Sequence, residues 1–380
     1  MNPPAIQVDP PPPLLVGSGN LPPELAPFDS AVRAYMKKYQ ISAGVLAVAK
    51  DKKIVLSRGY GWLGPTFSEA VQPDTPMRIA SVVKPITRAA IRKLVKDGKL
   101  ALQDKAFGDS LLGSKRLNRP GHAVDPRLTD ITIQHLIDHK GGWDRYQAPL
   151  FDPMMQTTLI SMATGRQPAG ANDVIRFMIG QPLQRDPGTK EIYSNFGYCV
   201  LGRIIEKVSG KKYIDYLRDD LLGALDITSV EVSRSLPTDR NRREPVYVSR
   251  EPPVPNVMMP ATPPVPACDG GLHLEAMDSH GGLIVSAPDL VRFAAKFNND
   301  GTPYDDEPAG TAHEGSLPGT TARLQWRMDN VLIAAIFNLR HPPEGRKFDP
   351  DKFNPEALSP NAAEIGAALN KAADSITRWP

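Results

Sequence analysis

Cysteine is nearly absent from this 380-residue chain. Cys199 and Cys268 are the only two, too few for a disulfide framework. Cys199 follows Tyr198 in an apolar stretch, which predicts a small buried side chain rather than a bridge. Long hydrophobic runs are also missing: no stretch approaches the ~18 apolar residues of a membrane span. Nor does one sign of charge dominate. The 45 basic and 42 acidic residues leave a net +3, which gives no footprint for nucleic acid or acidic lipid. The basic run Arg240, Arg242 and Arg243 sits among Asp239 and Glu244 and predicts a solvated loop. The N-terminus shows no basic segment followed by an apolar core, so no signal peptide is expected. As numbered, the chain is expected in the cytoplasm, or in the periplasm or outside the cell if a leader was removed.

What is abundant is proline. There are 39, about twice ordinary usage, and they cluster. Nine fall in residues 1–30, with an unbroken run at 10–13, and seven in 252–266. Such segments favour extended polyproline II chain and cannot join a helix or an inner strand. Residues 1–23 are therefore expected to form an extended tail, and 236–268 a Pro-rich loop. The length allows two or three domains at ~150 residues each.

Periodicity organises the rest. Apolar residues recur at helical spacing from Pro27 onward, and strand-like runs at 42–49 and 53–59 suggest a hairpin. Helical patterns then dominate, at 79–98, 131–138, 171–180, 195–209, 212–222 and 287–297. Strand signals return at 320–326 and 331–338, followed by a terminal helix over 360–377. The order predicts one sheet domain from residues 24–66 and 306–380, with a mostly helical domain, 67–305, inserted between.

Three short strings carry candidate chemistry. In Ser81-Val82-Val83-Lys84, residues three apart share a helical face. Lys84 can reach the Ser81 hydroxyl and act as its base if burial and nearby cations lower its pKa. At a helix start, Ser81 would also have free N–H groups available for an oxyanion. S-x-x-K alone is weak. A second copy, Ser209 to Lys212, lies at a helix end beside Gly210 and is taken as coincidental. In Tyr193-Ser194-Asn195, the phenol could relay a proton to a leaving group and the amide could hold the lysine and the substrate, although taken alone the motif reads more readily as Tyr193 capping or packing against the next helix. In His313-Glu314-Gly315-Ser316, the glycine permits close approach of a substrate backbone, and the Ser316 N–H would complete an oxyanion hole with that of Ser81. H-x-G recurs at His139 and His280, so position alone selects His313. His135 and His139 have metal-ligand spacing without the glutamate of H-E-x-x-H. No metal and no cofactor are expected.

Together these residues resemble the serine β-lactamase and penicillin-binding protein superfamily. The resemblance is to the class C branch, and within it to the family VIII carboxylesterases. The strings are RIASVVKPIT, ITIQHLIDHKGGWDR, PGTKEIYSNFGYCVLGRIIEKVSG, GGLIVSAPDLVRF and HEGSLPGT, in the family's order from about residue 25 onward. The resemblance implies an α+β, β-lactamase/transpeptidase-like fold, with an antiparallel sheet flanked by terminal helices, an inserted helical domain and the site between them. It implies Ser81 as acylated nucleophile, with Lys84 and Tyr193 sharing the proton transfers. The Ser81 and Ser316 N–H groups would form the oxyanion hole, with Asn195, His313 and Gly315 binding substrate. Relatives usually carry lysine where His313 stands. Histidine is mostly neutral at pH 7, which implies weak recognition of penicillin-like carboxylates. A second departure, Asp138 and Lys140 flanking His139, has no assigned consequence.

The expected function is hydrolysis of small carboxylic esters through an acyl-enzyme, by a monomer or small homo-oligomer. Alternatives are an amidase of the same superfamily, such as a D-amino-acid peptidase or weak β-lactamase, and a non-catalytic scaffold or binding protein. The 252–266 prolines are expected to wall the mouth of the site.

Overall fold

The strand signals at the two ends of the chain build one sheet. The computed structural model describes residues 15–107, 124–147, 152–304, 310–340 and 360–380. Among them, β1 (Gly17–Ser18), β2 (Ala43–Lys50) and β3 (Lys53–Gly61) come from the first part of the sequence. They meet β7 (Ala312–Leu317), β8 (Thr320–Trp326) and β9 (Val331–Phe337) from the last. The order is β1-β3-β2-β9-β8-β7, and every pairing is antiparallel. Asp51 and Lys52 turn the β2–β3 hairpin at φ of 49° and 65°, a reversal that suits the right-handed twist of the strands. Of the expected tail, residues 1–14 lie outside the described residues, while Gly17 and Ser18 pair with Tyr60 and Gly59 of β3.

The run AGVLAVAK in β2 is almost continuously apolar because both sheet faces are covered. Leu46 and Val48 stand opposite Ala335 and Ile333 on the face packed by α1 (Ala26–Tyr39) and the terminal α9 (Pro360–Asp374). Phe28, Val32, Tyr35 and Met36 form the buried stripe of α1, and Ile365 and Leu369 that of α9. Val45, Ala47 and Ala49 pair with Ile336, Ala334 and Leu332 on the other face, in a core continuous with the helical part.

That part contains α2 (Val83–Lys96), α3 (Ile133–Ile137), α4 (Thr157–Thr164), α5 (Ala171–Ile179), α6 (Asn195–Ser209) and α7 (Tyr213–Tyr216). The last widens into a π-turn over Leu217–Leu222. The segment expected to be mostly helical also holds a three-stranded sheet of β4 (Met77–Arg78), β6 (Leu283–Val285) and β5 (Glu231–Val232). Runs of two or three residues are too short to show a period of two. Helix α8 (Ala287–Ala294) packs against β2 and β9, and the Trp326 indole of β8 donates to the Ala294 and Phe297 carbonyls at 3.2 and 2.9 Å. It therefore belongs with the large sheet. Cys199 and Cys268 are both free and buried, and burial pushes each thiol up to about 12. No helix among the described residues is long and apolar enough to cross a membrane.

Candidate active site

Ser81 sits in a single tight turn, Ala80–Val82, that leads into α2. Ala80 holds φ 47°, a left-handed conformation costing an L-residue about 1–2 kcal/mol. The turn is pinned from outside by edge strand β7. A Cβ on Gly315 would lie 2.2 Å from the Ile79 carbonyl oxygen and 3.2 Å from the Ala80 Cβ, so only glycine lets strand and turn approach this closely. Lys84 follows one turn later, and its Nζ lies 3.0 Å from Ser81 Oγ.

Tyr193 and Asn195 reach the same point from the start of α6. The Ser194 hydroxyl caps that helix, accepting from the Gly197 N–H at 3.0 Å, and Gly210 ends it at φ 72°. The Tyr193 hydroxyl is 2.6 Å from Ser81 Oγ, and Asn195 Oδ1 is 2.7 Å from Lys84 Nζ.

Lys84 Nζ is held in a buried set of hydrogen bonds. Burial drives the Lys84 pKa well down; Asp152 opposes this, and Arg88 and Arg145 reinforce it. Three acceptors surround Nζ: Ser81 Oγ, Asn195 Oδ1 and, at 2.9 Å, the His280 carbonyl. Asp152 fixes the amide of this set. Its carboxylate only accepts, and its Oδ2 takes Asn195 Nδ2 at 2.6 Å, so Oδ1 must face the lysine. Asp152 is in turn held by Arg145 at 3.4 Å, whose guanidinium lies 5.6 Å from the centre of the Tyr193 ring. Burial raises the Tyr193 pKa, against the Ser81 hydrogen bond and the Arg145 charge. The phenol therefore keeps its proton and can give it away.

The histidines set aside as uninformative triplets lie beside these groups. His139 packs between the rings of Tyr193 and Tyr198, at centroid distances of 4.8 and 5.1 Å. Its Nδ1 accepts from the Ser194 N–H at 3.1 Å. Burial, with help from Lys84 and Arg88, lowers its pKa to about 3, so it remains a neutral acceptor. The His280 imidazole is likewise buried and held well below its ordinary pKa. His135 serves a local purpose: its Nδ1 accepts from the Thr132 N–H at 3.3 Å in a capping box. The second S-x-x-K copy ends α6, where Ser209 Oγ accepts from the Lys211 N–H at 3.2 Å.

A cavity of about 830 Å³ opens on Ser81, Tyr193, Asn195 and Ser316. His313 and Gly315 are not among its lining residues, whereas Glu314 and Ser316 are, as strand alternation requires. His313 Nδ1 is instead 3.0 Å from Asn299 Oδ1. Burial, with Arg88 and Lys84, holds its pKa well below the usual value.

The wall is not the one expected. Among the described residues, 252–266 contribute nothing to the lining, which comes from Ser81, 144–147, Asp152, Met155, 185–195, 277–281, 314–317 and Arg340. The prolines bracket a small loop closed on itself, with Val254 and Val265 exchanging N–H···O bonds at 2.9 Å. The Val257 N–H is tied to the Gly270 carbonyl at 2.8 Å. Asp152, Arg145 and Glu314 were not identified from sequence. Asp152 precedes Pro153 and caps a short turn, a common role that gives no sign of a distant partner.

Comparison with known proteins follows this geometry. The chain is 27% identical over 200 residues to "Protein flp" of Staphylococcus aureus, an alignment spanning 53% of this chain and 36% of that protein. The chain thus covers about a third of the length of that relative. Among solved structures, it is similar to the octameric penicillin-binding protein homologue of Pyrococcus abyssi, with a TM-score of 0.62 at 18% identity over 94% of this chain and 79% of that one. It is also similar to the D-amino acid amidase of Ochrobactrum anthropi, with a TM-score of 0.60 at 15% identity over 91% and 99%. These likenesses carry the β-lactamase/transpeptidase-like fold. Residues 28–343 match the family described as Beta-lactamase, and with most of its length inside that match the chain belongs to the β-lactamase family of serine hydrolase folds.

Proposed function

We propose that the protein hydrolyses small carboxylic esters through an acyl-enzyme on Ser81. The observation that carries this reading is the convergence of Ser81 Oγ, Lys84 Nζ and the Tyr193 hydroxyl within 3.0 Å contacts, around a lysine whose pKa is driven down by burial. Ser81 Oγ attacks the carbonyl as its proton passes to the Lys84 lone pair. The oxyanion is received by the N–H groups of Ser81 and Ser316. As the C–O bond breaks, Tyr193 gives its proton to the departing alkoxide and regains one from Lys84. Water, activated by the same pair, then releases the acid. Esters are favoured because the third motif offers histidine where relatives hold a substrate carboxylate with lysine. Purified wild type is expected to turn over short p-nitrophenyl esters, and Ser81→Ala to lose at least about a thousandfold, since nucleophile and base act as a unit. An unchanged rate in the mutant would remove Ser81 from the mechanism.

An amidase reading shares every group in this scheme and is supported by the likeness to the Ochrobactrum anthropi D-amino acid amidase. Ester, D-amino-acid amide and cephalosporin substrates compared in one assay separate the two. A non-catalytic scaffold predicts that a fluorophosphonate fails to label Ser81 in the native protein.

A further inference from the structure

Strand β7 contributes an acidic residue, Glu314, to the cavity lining. Glu314 and Ser316 lie two apart on its lining face, about 7 Å from one another by strand geometry, and both border the space in front of Ser81. Glu314 Oε1 is ion-paired to Nη1 of Arg323, its partner across β8. Arg323 is held away from the cavity: its Nε donates to Gln325 Oε1 at 3.0 Å and its Nη1 also faces the Ala362 carbonyl at 3.4 Å. It is not among the lining residues, whereas Glu314 is. Glu314 Oε2 makes no hydrogen bond among the described residues. The arginines that do line the cavity each have a carboxylate partner: Arg145 with Asp152, Arg185 with Asp144 and Arg340 with Glu251. His313, the residue at the position of the usual lysine, has its ring turned to Asn299.

We propose that Glu314 is a specificity-determining residue whose free carboxylate oxygen binds an ammonium group on the substrate, so that the site selects ammonium-bearing esters or amides and rejects those carrying a carboxylate on this side. The proposal deepens the hydrolase reading and rests on substrate occupying the cavity beside Ser81. A carboxylate accepting from an ammonium forms a charge-assisted bond, and a second carboxylate placed there meets like charge in a partly enclosed space.

The test measures binding rather than turnover. Three matched ligands, an α-amino-acid methyl ester with its ammonium free, N-acetylated or N-succinylated, are titrated calorimetrically into the Ser81→Ala protein. The ammonium form is expected to bind about tenfold or more tighter than the N-acetyl form, and the N-succinyl form weakest. Adding Glu314→Gln should erase the order, and Glu314→Asp should keep it. Because Glu314→Gln strands Arg323, a Glu314→Gln/Arg323→Met protein removes both partners and should also lose the order. Three results overturn the proposal: the same order in both charge-removing variants, tightest binding by the N-succinyl ester, or no binding by the ammonium ester. Fluorophosphonate labelling of the wild type is read separately. If Ser81 stays unlabelled while the binding order holds, the hydrolase reading falls and the ammonium subsite stands.

Discussion

At the scale of single residues, the proposed mechanism depends on a side chain that acts through its neighbour. Asp152 orients the Asn195 amide, and the amide oxygen accepts from Lys84 Nζ. Asp152→Asn replaces an acceptor-only group with one that can present either face, so the Asn195 amide loses its fixed orientation. The expected loss in kcat is about 10- to 100-fold, the range for a hydrogen bond to a charged group. The pH profile should shift as well. In the proposed mechanism Lys84 works as the free base, so activity is expected to fall as acidification protonates it. The Asp152 anion favours the ammonium form, while Arg88 and Arg145 oppose it. Removing the anion therefore lowers the Lys84 pKa further, and the acid limb of kcat/KM should move to lower pH. A fall in kcat with an unmoved acid limb would reduce Asp152 to a structural cap.

At the scale of elements, the nucleophile turn and edge strand β7 act as one unit. Gly315 is the point of contact, and any side chain there must displace the Ile79 carbonyl. Gly315→Ala should cost about 1–3 kcal/mol of stability, as overpacking does. It should also slow fluorophosphonate labelling of Ser81, because Ser316 moves away from the turn. Unfolding in urea and the labelling rate give the two readouts. A stable protein with a normal labelling rate would mean that the strand can shift without disturbing the site. Element boundaries were well legible where local signals were strong. Helix α6 ends at Gly210, as its sequence pattern over 195–209 indicates, and the structure adds the cap at Ser194, whereas β4, β5 and β6 are too short to leave a pattern.

At the scale of the whole molecule, the sheet has two cores with different duties. The face covered by α1 and α9 has its own core, in which Leu369 is fully buried. Leu369→Ala should destabilise the fold by about 2–5 kcal/mol, as large-to-small core changes do, while the folded fraction labels at the wild-type rate. Coupled loss of labelling in protein that remains folded would show that the terminal helices position the site. The other core runs from Ala47 and Ala334 into α2 and α6, so the sheet and the two motif-bearing helices share one packed interior.

The sequence by itself determined the local parts. Lys84 lies one helical turn from Ser81, Tyr193 and Asn195 stand at the start of the helical pattern over 195–209, and apolar runs at both chain ends foretell a sheet. Each follows from spacing along a few residues. The tertiary structure alone decided what those residues meet: that Asp152 and Arg145 stand behind Asn195 and Tyr193, that His139 and His280 join the site, that Glu314 faces the cavity while His313 does not, and that the prolines of 252–266 close a loop away from its wall. Burial, cross-strand register and contact between elements distant in the chain fix these, and none of them leaves a period in the sequence.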